Sequence, residues 1–171
     1  MHLTMLQVKD LPDISVMRKF AKRYGDVDIE AVIQFLTILR VGTDLSEMLD
    51  NFLANHGLLQ GRWWVLILLM REDNLTSTPS VLAEKAGVSR ATMTGLIDGL
   101  EKEKLVERLS DDTDRRKYAI KLTAAGQAKL DEVMPDYYPR VKQLMEIIPS
   151  EQREQLIQQL LQLNKNCKIF T

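Results

Sequence analysis

Between Thr78 and Leu122 the spacing of apolar residues changes from helical to alternating, and that change restricts the folds open to the chain. Thr78-Pro79 reads as an N-cap followed by proline at the first helical position, where the missing N–H is not needed. The helix that follows, Pro79 to Ala86, should stop at Gly87, since glycine adopts the left-handed conformation without strain. Val88 is expected to pack inward and Ser89 to cap a second helix reaching about Glu103. Ala83, Val88, Met93, Ile97 and Leu100 supply the expected shared core. Leu105 to Leu109 then alternates as a strand, and Tyr118 to Leu122 reads as its partner across the polar stretch Ser110 to Lys117. Two helices joined by a short glycine-containing turn form a helix-turn-helix, and the hairpin behind them makes a wing.

The rest of the chain is helical in pattern. Leu11 to Tyr24 predicts a short helix, with Ile14, Met17, Phe20 and Ala21 on one side. Asp26 or Asp28 can cap a long second helix running to about Asn55, with Val32, Leu36, Leu39, Leu45 and Leu49 at helical spacing. A helix of that length exceeds what a small domain covers alone, so part of it should meet another helix or another subunit. His56-Gly57 breaks it. Gln60 to Arg71 is apolar all round, which predicts a buried helix. Thr123 caps a further helix that Pro135 and Pro139 should kink or interrupt, and a last helix starts at Pro149-Ser150. The fold class is mainly α with a small β-wing. Its expected parts are an N-terminal extension (1–25), a long helix for dimerisation (26–58), a winged helix-turn-helix domain (59–122) and C-terminal dimerisation helices (123–171).

Composition narrows the function classes. The formal net charge is −1, and from Ser80 to Lys121 nine Lys/Arg stand against eight Asp/Glu, so bulk charge lends no support to nucleic-acid binding. One cysteine, Cys167, excludes an internal disulfide, and its expected state is an inert thiol. No His/Cys/Asp/Glu grouping has metal spacing, and no phosphate-cradling glycine loop or catalytic triad pattern is present, so neither a metal, a cofactor nor an enzyme is expected. The apolar run Trp63 to Met70 is too short to span a bilayer, and no secretory leader pattern opens the chain. The expected compartment is the cytoplasm, with no membrane partner.

In a helix-turn-helix the second helix enters the major groove with its N-terminal residues nearest the bases. Those residues are Ser89, Arg90, Ala91, Thr92 and Thr94. Arg90 can bond guanine bidentately or hold a phosphate, and the hydroxyls suit bases or phosphates. Ser80 at the start of the first helix can present its hydroxyl to a phosphate. Arg115, Arg116 and Lys117 in the wing suit phosphates or a narrow minor groove, although such a run taken by itself is more often a solvated loop. His56, Trp63 and Trp64 are candidates for an effector pocket, against the commoner roles of helix end and core.

These stretches resemble the MarR family of multiple-antibiotic-resistance regulators. The likeness is carried by Arg62-Trp63-Trp64-Val65-Leu66, by Leu82-Ala83-Glu84-Lys85-Ala86-Gly87-Val88-Ser89, by the helix from Ala91 to Glu101, by Asp112-Thr113-Asp114-Arg115-Arg116-Lys117, and by Leu122-Thr123-Ala124-Ala125-Gly126. It implies a homodimer joined through its terminal helices on a pseudo-palindromic DNA operator. It further implies a repressor relieved by a small, often anionic aromatic ligand. Asp114 and Arg116 match the family's wing pair, in which the arginine reaches the minor groove and the aspartate helps hold the wing. Three positions depart from the family pattern: Gly95 and Gly99 stand where basic residues are frequent, and Lys104 stands where glycine is favoured. The glycines motivate an alternative, a winged-helix protein-interaction module or anti-regulator without DNA binding.

Overall fold

The computed structural model describes residues 13–25, 27–110 and 118–170, and the protein is mostly helical with one small antiparallel sheet. The chain forms two compact units, residues 1–63 and 64–171.

The first unit holds two helices and the start of a third. Helix α1 spans Ile14–Tyr24 and is capped by Asp13, whose carboxylate accepts the Ser15 N–H at 2.7 Å. Helix α2 spans Ile29–Asn55, 27 residues or about 40 Å, and Asp28 caps it by accepting the Ala31 N–H at 3.0 Å. Of the two aspartates, Asp28 is therefore a cap, and Asp26 lies outside the described residues. Arg40 and Asp44 pair one turn apart along α2 at 2.8 Å. His56 forms the C-cap of α2, its N–H donating to the Leu53 carbonyl at 3.0 Å, and Gly57 takes a φ of 68°. Ile38, Leu39, Val41, Leu45 and Met48 of α2 stay exposed, so the long helix carries apolar side chains that its own chain does not cover.

Helix α3 spans Gln60–Met70, and its burial departs from the sequence expectation. Trp63, Val65, Leu66 and Leu69 are buried, but Trp64 and Met70 are exposed. Trp63, Leu66 and Leu69 follow one another at helical spacing; Trp64 points away from Leu66 and Leu69, while Met70 shares their side but sits at the last residue of the helix. An all-apolar helix is thus covered on one face only.

In the second unit a short 3₁₀ turn, Asp73–Leu75, leads to strand β1, Thr76–Ser77. Helix α4 covers Pro79–Ala86 and helix α5 covers Arg90–Lys102. Strands β2 (Val106–Ser110) and β3 (Tyr118–Leu122) complete the sheet, in the order β1-β3-β2. The sheet has three strands where sequence reasoning expects two, because a strand of two residues is too short to show alternation. The register pairs Val106 with Leu122, Arg108 with Ile120 and Ser110 with Tyr118. Leu82, Ala83, Met93, Ile97, Leu100, Val106, Ile120 and Leu122 are buried. Val88, expected inside, is 37% exposed, whereas Leu82, outside the expected core, is fully buried.

Helix α6 runs unbroken from Ala124 to Glu146 through both Pro135 and Pro139. Of the expected kink or interruption, the structure shows no interruption. Each proline removes one helical N–H. Burial raises the Tyr137 hydroxyl above its ordinary range, with help from the neighbouring Tyr138. Helix α7 spans Ser150–Lys165, and a 3₁₀ turn, Cys167–Phe170, follows. Among the described residues no helix is long and apolar enough to cross a membrane.

Candidate nucleic-acid interface

The turn between α4 and α5 is built by local chemistry. Thr78 caps α4, its hydroxyl accepting the Val81 N–H at 3.4 Å. Gly87 ends the helix in the left-handed conformation, φ 64°, and the Val88 N–H closes back onto the Ala83 carbonyl at 3.0 Å. Ser89 then caps α5 by accepting the Thr92 N–H at 3.1 Å, and its hydroxyl lies 2.8 Å from that of Thr92.

This arrangement divides α5 into two faces. Met93, Ile97 and Leu100 are fully buried, whereas Ser89, Arg90, Ala91, Thr92, Thr94 and Gly95 are exposed. Arg90 and Thr94 lie one turn apart, and the Thr94 hydroxyl donates to the Arg90 carbonyl at 2.9 Å. A Cβ at Gly95 would meet nothing within 4 Å, so packing inside the chain does not require glycine there. Ser80 is exposed at the second residue of α4. The structure therefore gathers Ser89, Arg90, Thr92 and Thr94 on the open start of one helix. Asp114, Arg115, Arg116 and Lys117 lie outside the described residues; the strands that flank them end at Ser110 and Tyr118, which are paired with each other.

Two features that hold the hairpin in place escape a reading of the sequence alone. The first is a clasp at the start of α6. The Thr123 hydroxyl caps that helix by accepting the Gly126 N–H at 3.1 Å, and it lies 2.8 and 3.0 Å from the Lys104 and Leu105 carbonyls. A Cβ on buried Gly126 would stand 2.2 Å from the Leu105 oxygen, so only glycine fits. The Leu-Thr-x-x-Gly stretch was visible, but not what its two polar and small residues touch. The second is Arg108 on β2, which pairs with Asp98 of α5, reaches Glu101 at 3.4 Å and lies over the Tyr118 ring, 5.1 Å from its centroid. Its signal in the sequence is a charge at a position where the alternation of β2 points inward.

The candidate pocket residues fall in separate units. His56 sits beside Phe52, with ring centroids 4.9 Å apart, and Trp63 is buried, both in the first unit. Trp64, 43% exposed, belongs to the second. Among the described residues no group of three or more His, Cys, Asp or Glu side chains is placed to hold a metal ion.

Helix, left-handed glycine turn, helix and hairpin, with an open polar face on the second helix, define a winged helix-turn-helix protein. The family model of the MarR family matches residues 56–117. The chain is 27% identical over 165 residues to the transcriptional repressor YetL of Bacillus subtilis, an alignment covering 96% of this chain and 99% of that protein. It is 30% identical over 146 residues to the transcriptional repressor MprA of Escherichia coli K12, covering 85% and 83% respectively. The MarR-family regulator Sco3205 of Streptomyces coelicolor, solved in complex with DNA, shares the fold with a TM-score of 0.76 at 21% identity, over 82% of this chain and 89% of that one. The chain belongs to the MarR family and is a transcriptional regulator. That membership favours DNA binding over the alternative of an interaction module.

Proposed function

We propose that the protein is a homodimeric repressor that reads a pseudo-palindromic operator with α5 and the wing, and that a small ligand releases it. The observation that carries this reading is the open start of α5, where Arg90, Thr92 and Thr94 stand exposed while Met93, Ile97 and Leu100 fix the opposite face in the core. In this reading Arg90 contacts a guanine or a phosphate, and Ser89, Thr92 and Thr94 offer hydroxyls and methyls to base edges and backbone. Ser80 takes a phosphate. Asp114 orders the wing, and Arg115, Arg116 and Lys117 supply its phosphate and minor-groove contacts.

Dimerisation is supported by the exposed apolar side chains of α2 and by Leu160, Leu161 and Leu163 of α7. Such surface is costly to leave in water and marks a protein interface. Of the candidate pocket residues His56, Trp63 and Trp64, exposed Trp64 is the one that offers an aromatic face to a ligand. The protein is expected to work in the cytoplasm, where its DNA lies.

Footprinting tests the reading. The expected result is protection of two related half-sites spaced about one helical turn apart, centre to centre. Uniform or absent protection along genomic fragments that carry such repeats would contradict it.

A further inference from the structure

We propose that Arg108 is a positioning residue that locks the wing to the recognition helix, so that the two elements read DNA as one rigid unit. The proposal rests on the DNA-binding reading above. Strand β2 lies at the edge of the sheet; Val106 is buried, and Glu107, Arg108 and Leu109 are exposed. Arg108 is opposite buried Ile120 and therefore shares the inward face, where an apolar residue is the usual choice. A charge there needs partners, and it finds them on both neighbouring elements. Its guanidinium bonds Asp98 on α5 and lies 3.4 Å from Glu101 one turn further along, while the Tyr118 ring on β3 stacks against it at 5.1 Å. A planar guanidinium held by two carboxylates and a ring has little freedom to rotate.

The geometry also says what the contact is for. Arg108 is about one-third exposed, Asp98 57% and Glu101 39%, and ion pairs this open add little to stability. Tyr118 is the first described residue after the wing loop, and Asp98 stands on the same helix that presents Arg90 and Thr94. The network thus joins the base of the wing to the helix that carries the candidate base contacts. Fixing the angle between them makes the major-groove and wing contacts form together only on the matching sequence. Without the clamp each contact forms independently, and the gain from a matched site shrinks.

The test uses the full chain and a duplex selected by the wild-type protein from a random-sequence pool. Arg108→Gln, Arg108→Lys, the pair Asp98→Asn with Glu101→Gln, and all three neutral changes combined are compared. The readout is the ratio of affinities for the selected and a scrambled duplex, because removing charges near DNA shifts both affinities together. Arg108→Gln and the carboxylate pair are each expected to lower that ratio roughly tenfold, and their combination no further, since they disable one unit. Arg108→Lys should fall between wild type and Arg108→Gln, keeping the charge but not the planar fork. A ratio within about twofold of wild type in both variants, with any loss shared equally by the two duplexes, would overturn the proposal and mark Arg108 as an ordinary phosphate contact. Losses that add in the combined variant would overturn it too. A second arm needs no DNA: backbone amide relaxation by NMR in the free protein should show β2 and β3 moving more freely than α5 in Arg108→Gln and in the carboxylate pair. Unchanged relaxation in both would overturn the clamp, and this arm stands even if the wild type selects no sequence, which would refute the DNA-binding reading instead.

Discussion

Two residues behind the recognition helix determine how the wing is attached. Lys104 adopts a φ of 59°, a conformation in which an L side chain crowds the backbone and glycine does not. The turn is kept nonetheless, because the Leu105 N–H closes onto the Leu100 carbonyl at 2.9 Å. Lys104→Gly should therefore stabilise the protein by about 1 kcal/mol, read as a higher urea midpoint at constant slope. Gly126 has the opposite requirement. Its missing Cβ leaves room for the Leu105 carbonyl, which would otherwise lie 2.2 Å away, against backbone that cannot rotate aside. Gly126→Ala should destabilise by about 1–3 kcal/mol even though alanine is the better helix former, and equilibrium urea unfolding measures it. The sequence made both positions conspicuous, as a lysine where a turn is wanted and as a glycine early in a helix. The contact that decides the sign at Gly126 comes from a carbonyl more than twenty positions away, which no local pattern reveals.

At the scale of elements, the helix-turn-helix was legible because each boundary has its own chemical marker. Thr78 and Ser89 are caps, Pro79 opens a helix and Gly87 closes it, and the structure places all four in those roles. The strands β2 and β3 were legible from alternation, whereas β1 is too short to alternate and is defined only by its partner β3. The face of α3 was not legible, since a segment apolar all round does not say which side the chain covers. The same holds for Val88, a hydrophobic residue in a tight turn that the structure leaves exposed while Leu82 and Ala83 are buried. The recognition helix carries one further consequence. The position of Gly95 is open, so a longer side chain fits without repacking. Gly95→Lys should tighten binding to random duplex and steepen the dependence of log affinity on log salt by about one unit, measured by titration across a potassium chloride series.

At the scale of the whole molecule, net charge and fold point in different directions, and the fold decides. A chain of charge −1 binds DNA only through a local surface, and the open start of α5 provides the described part of one. The exposed apolar residues along α2 are the second molecular feature, and they are the reason a single chain is an incomplete object in this account. Leu39→Glu with Leu45→Glu places charges in the proposed interface. Light scattering should then give the chain mass of 19.6 kDa, against twice that value for the wild type. Operator affinity should fall with it, because each monomer reads only one half-site.

The central claim is that this chain recognises a particular DNA sequence, and fluorescence anisotropy tests it most directly. Labelled duplex selected by the protein and a scrambled duplex of equal length are titrated with the full chain at several salt concentrations. The account predicts that affinity for both falls as salt rises, as counterion release requires, while the selected duplex stays the tighter at every concentration. Equal affinity for the two duplexes throughout the series, or no binding to either, would contradict it.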